Sequence, residues 1–198
     1  DEAAVADILA ERATLRPEGF ALLTAGRITV GALSALLRTI AGAGYPIAPD
    51  QLGDLAAEPR PATVGGTRIM PAGRLGPGLL VVREERAIAG PVAAVPGAIW
   101  DNRFRLVASE APPAGMQVSD LGNAATAVRA KSDLPAAVLR TLPALWRGGE
   151  LIAVPHIGHM TGQTAAVQFL FIPPVPACGP NFVPATSNHC NFHQLSEP

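Results

Sequence analysis

The chain has 198 residues, of which 48% are hydrophobic and 16% charged, and its formal net charge at pH 7 is −1. That length suffices for one medium domain or two small ones, and the near-neutral charge lacks the strongly basic balance typical of nucleic-acid-binding proteins. No apolar run approaches the ~18 residues of a membrane span, and the 2 cysteines are too few for a disulfide framework. We therefore expect a cytoplasmic protein with no membrane partner.

Residues 1–88 are expected to form a helical domain that ends in a β-hairpin. Apolar residues at helical spacing predict one helix before Pro17 and a second over residues 33–40. Proline suits the first position of a helix, so a third, short helix is expected to begin at Pro49. The period then changes to that of strands, which we predict at residues 67–70 and 79–83.

Residues 89–172 are expected to form a small mixed α/β sheet domain; because strands and helices do not alternate strictly, the whole chain is assigned to the α+β class. Two short helices are predicted to end at Lys131 and Arg140. The dipeptide Gly148-Gly149 predicts a tight hairpin turn, since glycine tolerates positive φ at both positions. Strands are predicted at residues 98–100, 103–107, 118–121, 144–146, 151–154 and 165–172. The proline-rich residues 173–198 are expected to be an irregular tail.

Residues 100–106 carry the first candidate binding groups. Side chains alternate along a strand, so Arg103 and Arg105 are expected on one open face, about 6.6–7 Å apart, with Phe104 and Leu106 on the other. Two guanidiniums at that spacing can bind phosphates. A solvated strand face is the alternative explanation, because exposed charge usually serves solubility.

Several motifs follow one another in the order in which one enzyme family carries them. They are LLRTIAGAGYPIAPDQLGDL at residues 36–55, GGTRIMP at 65–71, LLVVREE at 79–85, PGAIWDNRFRL at 96–106 and LPAAVLRTLPALWRGGELIAVPHIG at 134–158. Together they resemble the C-terminal half of tRNA(Ile)-lysidine synthases of the alphaproteobacterial type, over about residues 10–160. The resemblance implies that the second domain is similar to a module of the phenylalanyl-tRNA synthetase β subunit.

The resemblance also implies a division of labour within a larger enzyme. Lysidine synthases hold ATP with a Ser-Gly-Gly-x-Asp-Ser loop, which this sequence does not contain. Because the chain begins at Asp1 inside a helical pattern, we expect an N-terminal ATP-pyrophosphatase domain to precede it in a longer protein. That parent ligase would use ATP and Mg²⁺ to join lysine to the wobble cytidine. This region would hold no cofactor and no catalytic residue, would be inactive alone, and would position tRNA(Ile) for its own catalytic domain.

Arginine dominates the cations that could contact RNA. Of the 15 basic residues only Lys131 is lysine, and the last along the chain is Arg147. RNA duplexes are recognised largely through phosphate and 2′-hydroxyl groups, for which cations suffice. Arg140 also has a structural explanation, because a cation at a helix C terminus interacts favourably with the helix dipole. RNA contacts are predicted from Arg38, Arg103, Arg105, Arg129, Lys131, Arg140 and Arg147.

Aromatic and metal-ligating residues give weaker signals. Trp100 and Trp146 could stack on bases, but large aromatics beside tight turns usually fill small β cores, and this is the interpretation we prefer. No metal site is predicted, because the usual pair of closely spaced cysteines is missing. Weak candidates for metal ligands are His156, His159, Cys178 and Cys190.

Other classes of function are compatible with the same residues. A protein-interaction or dimerisation module without RNA binding would explain the neutral net charge, and the apolar residues 165–172 could pair as edge strands across the twofold axis of a homodimer. A small hydrolase built on the histidines is disfavoured, because no nucleophile elbow accompanies them.

Overall fold

A computed structural model describes residues 2–161, 166–175 and 177. This part of the chain combines helices with three antiparallel sheets, which confirms the α+β class. The α-helices are α1 (Glu2–Arg12), α2 (Val30–Ala41), α3 (Gly53–Ala57), α4 (Ala125–Val128) and α5 (Ala136–Arg140). Short 3₁₀ turns lie at Pro49–Gln51, Gly73–Leu75, Glu85–Ala87, Gly122–Ala124, Arg129–Lys131 and Pro155–Ile157. Among the described residues, no helix has the length and apolar character needed to cross a membrane.

The strands form three sheets. They are β1 (Ala13–Arg16), β2 (Phe20–Leu23), β3 (Ala62–Val64), β4 (Thr67–Pro71), β5 (Leu79–Arg83), β6 (Val92–Ala93), β7 (Ile99–Trp100), β8 (Phe104–Ala108), β9 (Met116–Asp120), β10 (Pro143–Arg147), β11 (Glu150–Val154), β12 (His159–Met160) and β13 (Val167–Phe171). The first sheet has the order β1-β2-β5-β4-β3, the second β12-β11-β10-β9-β6, and the third β13-β8-β7.

The first 88 residues contain more sheet than the sequence predicted. The helix expected to reach Pro17 ends at Arg12, and β1, β2 and β3 were not predicted. In β1 the buried and exposed residues alternate, but four positions are too few for this period to stand out after a helical pattern. Strand β2 is apolar throughout, and such a run does not distinguish a strand from a buried helix. This half is therefore a five-stranded sheet with three helices rather than a helical domain.

Helix α2 is the helix that the sequence predicted best. The hydroxyl of Thr29 accepts a hydrogen bond from the backbone N–H of Ala32 at 3.3 Å and so caps its N terminus. Gly42, with φ of 66°, ends the helix in the left-handed conformation. The apolar residues at helical spacing between these caps are buried against the first sheet, as the amphipathic pattern requires.

The first sheet is buried on both faces. Val81 packs into a cluster with α1 and α2, whereas its neighbour Val82 points to the opposite face, because side chains alternate along a strand. That second face, which also carries Phe20, packs against Leu139 of α5. A third cluster joins the second and third sheets around Trp100. Residues from both sides of the boundary expected near residue 88 thus share the second cluster, and the boundary itself stays a prediction.

The second half follows the sequence more closely. Gly148 and Gly149 form the turn between β10 and β11 with φ of 55° and 84°, which confirms the predicted hairpin. The helix expected to end at Lys131 is instead a single α-turn flanked by 3₁₀ turns. Helix α5 ends at Arg140 as predicted. Most of the predicted irregular tail, residue 176 and residues 178–198, lies outside the described residues.

Candidate nucleic-acid interface

Arg103 does not share a strand face with Arg105. Strand β8 begins at Phe104, so Arg103 is the last residue of the preceding turn, and its backbone N–H donates to the Trp100 carbonyl at 3.1 Å. The alternation of side chains along a strand therefore does not apply to it. Arg103 is 0% exposed, whereas Arg105 is exposed. The predicted open pair of arginines is wrong, and the guanidinium of Arg103 is not accessible to a phosphate.

A buried carboxylate holds the side chain of Arg103. Its Nε donates to Asp101 Oδ2 at 2.7 Å, and its Nη1 donates to the Gly19 carbonyl at 3.4 Å. The guanidinium carbon also lies 5.0 Å from the centroid of the Phe104 ring, a cation–π distance. Burial lowers the pKa of Arg103 to about 10, and the Asp101 carboxylate opposes that effect. The guanidinium therefore remains charged at neutral pH inside the protein.

The same carboxylate binds a second arginine. Arg83 donates through Nε to Asp101 Oδ2 and through Nη2 to Oδ1, both at 3.1 Å. The backbone N–H of Ala89 donates to Oδ1 at 2.9 Å, and Arg83 further donates to the carbonyls of Gly66 and Ala87. Two guanidiniums share one carboxylate, so the group keeps an excess positive charge. We call Arg83, Asp101 and Arg103 the buried arginine cluster.

The turn that carries Asp101 has a left-handed backbone and packs closely against the end of α2. Asp101 and Asn102 have φ of 51° and 53°, the left-handed conformation that these two residue types tolerate in hairpin turns. Gly42, at the end of α2, lies directly against this turn, because a Cβ there would be 2.6 Å from Arg103 Cγ and 2.7 Å from the Asp101 carbonyl oxygen. Asp-Asn in the sequence is the signal that could have located the turn and moved Arg103 off the strand.

Arg105 lies alone on an apolar sheet face. In the register of the third sheet it stands opposite Ile99 of β7 and Leu170 of β13, and both of these side chains are exposed. Val107, two residues along β8, is exposed as well. The exposed face of the third sheet is thus a mixture of one guanidinium and several apolar groups, which differs from the cationic strip expected from the sequence.

Lys131 is brought together with a histidine that was predicted only as a metal candidate, and Arg129 lies two residues before it. Both cations are exposed and lie in one 3₁₀ turn, and Lys131 Nζ is 3.1 Å from His159 Nδ1. Because an ammonium group can only donate, Nδ1 accepts and the ring proton resides on Nε2. Burial and the charge of Lys131 lower the pKa of His159, so its ring is neutral at pH 7. We call Arg129, Lys131 and His159 the basic corner.

The remaining predicted RNA contacts lie apart from this corner. Arg140 is 3.3 Å from Glu85, so its charge is already paired in part. Arg147 is exposed at the end of β10, where it faces Glu150 across the Gly148-Gly149 turn. Arg38 is half-buried on α2, and its Nε is enclosed without a hydrogen-bond partner. Among the described residues, no hydrogen bond or ion pair joins these three side chains to the basic corner.

Both tryptophans pack within the protein. Trp100 is 1% exposed, lies against Phe104 with a ring separation of 6.2 Å, and donates from its indole nitrogen to the Gly90 carbonyl at 3.2 Å. Trp146 is half-buried against the second apolar cluster. The core interpretation is confirmed for Trp100, whose ring faces are not available for base stacking.

His156 is enclosed in an aromatic group. Its ring meets the edge of Phe104 at 5.6 Å and stacks on Phe169 at 6.4 Å, and its Nε2 is 3.2 Å from the Pro17 carbonyl. A carbonyl can only accept, so Nε2 carries the proton, and the bare Nδ1 is buried without a partner. Burial lowers the pKa of His156 to about 4.

Acidification is expected to destabilise the protein through His156. An unfolded histidine titrates near 6.5, so the stability that the neutral ring contributes is present above pH 6.5 and is lost as pH falls towards about 4. We expect the free energy of unfolding to fall by about 2 kcal/mol more between pH 7 and pH 5 in the natural protein than in His156→Gln. Urea unfolding of both proteins at the two pH values measures this difference, and equal losses would contradict it.

The candidate metal ligands are not assembled in the described residues. His156 faces Pro17 while His159 faces Lys131, and no group of three or more metal-ligating side chains occurs in the part of the chain that the structure describes. Cys178 and Cys190 lie outside the described residues. Residues 65–66 and 148–149, the two Gly-Gly pairs, connect antiparallel strands rather than a strand and a helix, so they do not fit the phosphates of ATP.

The accessible cations can form charge-assisted hydrogen bonds with an anion. The basic corner offers two such cations and the N–H of a neutral imidazole, and Arg105 and Arg147 present single guanidiniums elsewhere. No protein-family model matches the chain, and no curated protein or solved structure matches it either.

Proposed function

We propose that this chain is the tRNA-docking C-terminal region of a tRNA(Ile)-lysidine synthase. The ordered motifs between residues 36 and 158 resemble that family. In this proposal the region holds tRNA(Ile) so that the wobble cytidine reaches an active site on an N-terminal domain, which supplies the ATP- and Mg²⁺-dependent ligation of lysine. The contribution of this chain to the rate is positioning, since fixing two reactants in one geometry removes much of the entropic barrier.

The observation that carries the proposal is the basic corner. Lys131 and His159 lie in contact, and the ammonium group and the Nε2–H are donors that a phosphodiester can accept from, with the exposed guanidinium of Arg129 two residues away in the same turn. Neither Arg129 nor Lys131 takes part in an ion pair among the described residues, so a neighbouring carboxylate does not neutralise them. Cations that are unpaired in the free protein can release counterions from RNA when they bind it.

Removing both cations of the basic corner should weaken tRNA binding. For Arg129→Gln with Lys131→Gln we expect about a tenfold loss of affinity near 0.1 M salt. The slope of log K against log salt should become shallower by roughly 1.5, because each phosphate contact contributes about 0.7–0.9. Fluorescence anisotropy with a labelled tRNA(Ile) transcript at several salt concentrations measures both quantities.

Arg27→Gln with Arg60→Gln is the matched control. Both arginines are exposed in the first half of the chain, and the double substitution removes the same charge. The proposal requires the control to retain the natural affinity and slope within about twofold. Equal effects of the two double variants would show that only net charge matters, and absence of tRNA binding by the natural protein at low salt would remove the proposal.

A protein-interaction module is the second candidate, and the third sheet favours it. Its exposed face carries Ile99, Val107 and Leu170, and β13 is an edge strand with one side unpaired among the described strands. Exposed edges of this kind pair readily with another chain. A protein that forms a concentration-dependent dimer in sedimentation velocity while failing to bind tRNA would support this candidate over the first.

A further inference from the structure

We infer that a groove beside β4 binds a phosphoryl group, at a place separate from the basic corner. The groove has a volume of about 440 Å³ and is lined by Thr63, Arg68, Arg83, Glu84, Glu85 and Arg86, with Ala137 of α5 at one side. We call it the Arg68 groove. Small-ligand sites occupy about 300–1,000 Å³, so the groove admits a phosphoryl group together with part of the molecule that carries it.

Arg83 also lines the Arg68 groove, but its side chain points to the other face of the sheet, because Arg68 stands opposite Val82, the neighbour of Arg83 on β5. Its Nε and Nη2 are held by the Asp101 carboxylate, and Nη1 donates to the Gly66 carbonyl at 2.9 Å. The side chain is only 11% exposed, so its charge is screened by little water. Because Arg103 shares the same carboxylate, the positive charge of Arg83 is not fully cancelled, and the buried arginine cluster adds to the positive potential near the groove without contacting an anion there.

Arg68 and Arg86 are the side chains of the site that are available to bind an anion. Both are exposed, and neither guanidinium has a hydrogen-bond or ion-pair partner in the part of the chain that is described. Arg68 lies on β4 directly across from Thr63 of β3, so the Thr63 hydroxyl is on the same sheet face as the Arg68 side chain. A phosphoryl group presents three oxygens and up to two negative charges, so it can accept from both arginine forks and from this hydroxyl and interacts more strongly with two cations than a singly charged carboxylate does.

The carboxylates at the Arg68 groove do not cancel its charge. Glu85 is already paired with Arg140 at 3.3 Å, which leaves Glu84 as the carboxylate that opposes Arg68 and Arg86. The groove therefore favours an anion, and Glu84 reduces its affinity. Two substitutions should therefore have opposite effects. Removing an arginine should lower the affinity for the anion, and removing the charge of Glu84 should raise it.

The phosphoryl group can come from the RNA backbone or from a small phosphorylated molecule. The first source rests on the proposed function and extends it, since Arg68 and Arg86 were not among the predicted RNA contacts. The second source is independent of tRNA. Two probes separate them: a tRNA(Ile) transcript in anisotropy measurements, and inorganic tripolyphosphate in isothermal titration calorimetry, both with the whole chain.

Arg68→Gln with Arg86→Gln is the main variant, and Arg27→Gln with Arg60→Gln is again the matched control. If RNA is the source, the main variant binds the transcript about tenfold more weakly than the control, while Glu84→Gln binds it more tightly. If a small molecule is the source, tripolyphosphate binding is lost in the main variant and strengthened in Glu84→Gln, with tRNA affinity unchanged. Each result supports the phosphoryl site and identifies its ligand.

The inference is overturned if the main variant binds both probes as the control does. That failure differs from failure of the proposed function. If the natural protein does not bind tRNA, the proposed function is refuted. Binding of tripolyphosphate then remains the test of the Arg68 groove. If tRNA affinity depends on Arg129 and Lys131 but not on Arg68 and Arg86, the proposed function is supported. If tripolyphosphate also binds the main variant unchanged, the phosphoryl site in the Arg68 groove is refuted. Thermal melting of Arg68→Gln with Arg86→Gln should match that of the natural protein, because both arginines are exposed.

Discussion

Asp101→Asn is expected to lower the free energy of unfolding by about 3–5 kcal/mol, the usual cost of leaving a buried charge without its partner. Asparagine keeps the size of the side chain and tolerates the φ of 51°, so the substitution removes the charge and turns one acceptor oxygen into an amide donor. Arg103, which is 0% exposed, would then lose its counterion, and Arg83 would lose both carboxylate contacts. Chemical denaturation followed by circular dichroism gives the free-energy difference.

Two further variants show whether the buried charge is the cause. Asp133 is exposed, so Asp133→Asn makes the same chemical change with an expected effect below about 0.5 kcal/mol. Adding Arg103→Met to Asp101→Asn should recover part of the lost stability, since an apolar side chain in that position needs no counterion. A loss below about 1 kcal/mol in the single Asp101 variant would refute this account of the cluster.

Gly42→Ala is expected to cost about 3 kcal/mol, from left-handed backbone strain together with overpacking. Gly42 has φ of 66°, and an added Cβ would lie 2.6 Å from Arg103 Cγ and 2.7 Å from the backbone oxygen of Asp101. Backbone cannot move away as the end of a flexible side chain can, so the turn and α2 would be forced apart. The midpoint of thermal unfolding, read beside the natural protein, measures the effect.

Gly44→Ala provides the comparison for that measurement. Gly44 lies two residues further along the same loop, is exposed, and has no atom within 4 Å of an added Cβ. The same change there should leave stability within about 0.5 kcal/mol or raise it slightly, because alanine restricts the unfolded chain. Similar losses at both positions would mean that the close approach of α2 to the Asp101 turn is not what constrains Gly42.

Local patterns were sufficient for much of the fold. The strands near residues 67–70 and 79–83, helix α2 and the Gly148-Gly149 turn were predicted, because each has a clear period or a specific turn chemistry. The hairpin of β1 and β2 was missed, since its strands have four residues each and β1 follows α1 with no glycine or proline at the junction. Strand and helix periods are indistinguishable over so short a segment.

The candidate site was harder to predict because its contacts are distant in the chain. Lys131 and His159 are 28 residues apart, and nothing in either neighbourhood indicates that they meet. Arg103 was assigned to a strand face by alternation, although one residue of shift at a turn is enough to reverse the direction of a side chain. Arg68 and Arg86 were not predicted as binding residues, since a groove between a sheet and α5 exists only after the chain has folded.

The buried arginine cluster joins segments of the chain that are distant in sequence. Arg83 comes from β5, Asp101 and Arg103 from the turn after β7, and Gly19 between β1 and β2 supplies a carbonyl. Separating any of these groups would leave a buried charge without its partner. The free energy needed to unfold one half alone is therefore expected to be nearly that needed to unfold both. We therefore expect the two halves to unfold in a single cooperative transition, and a polypeptide truncated to begin near residue 89 to lose the native packing of its first hairpin.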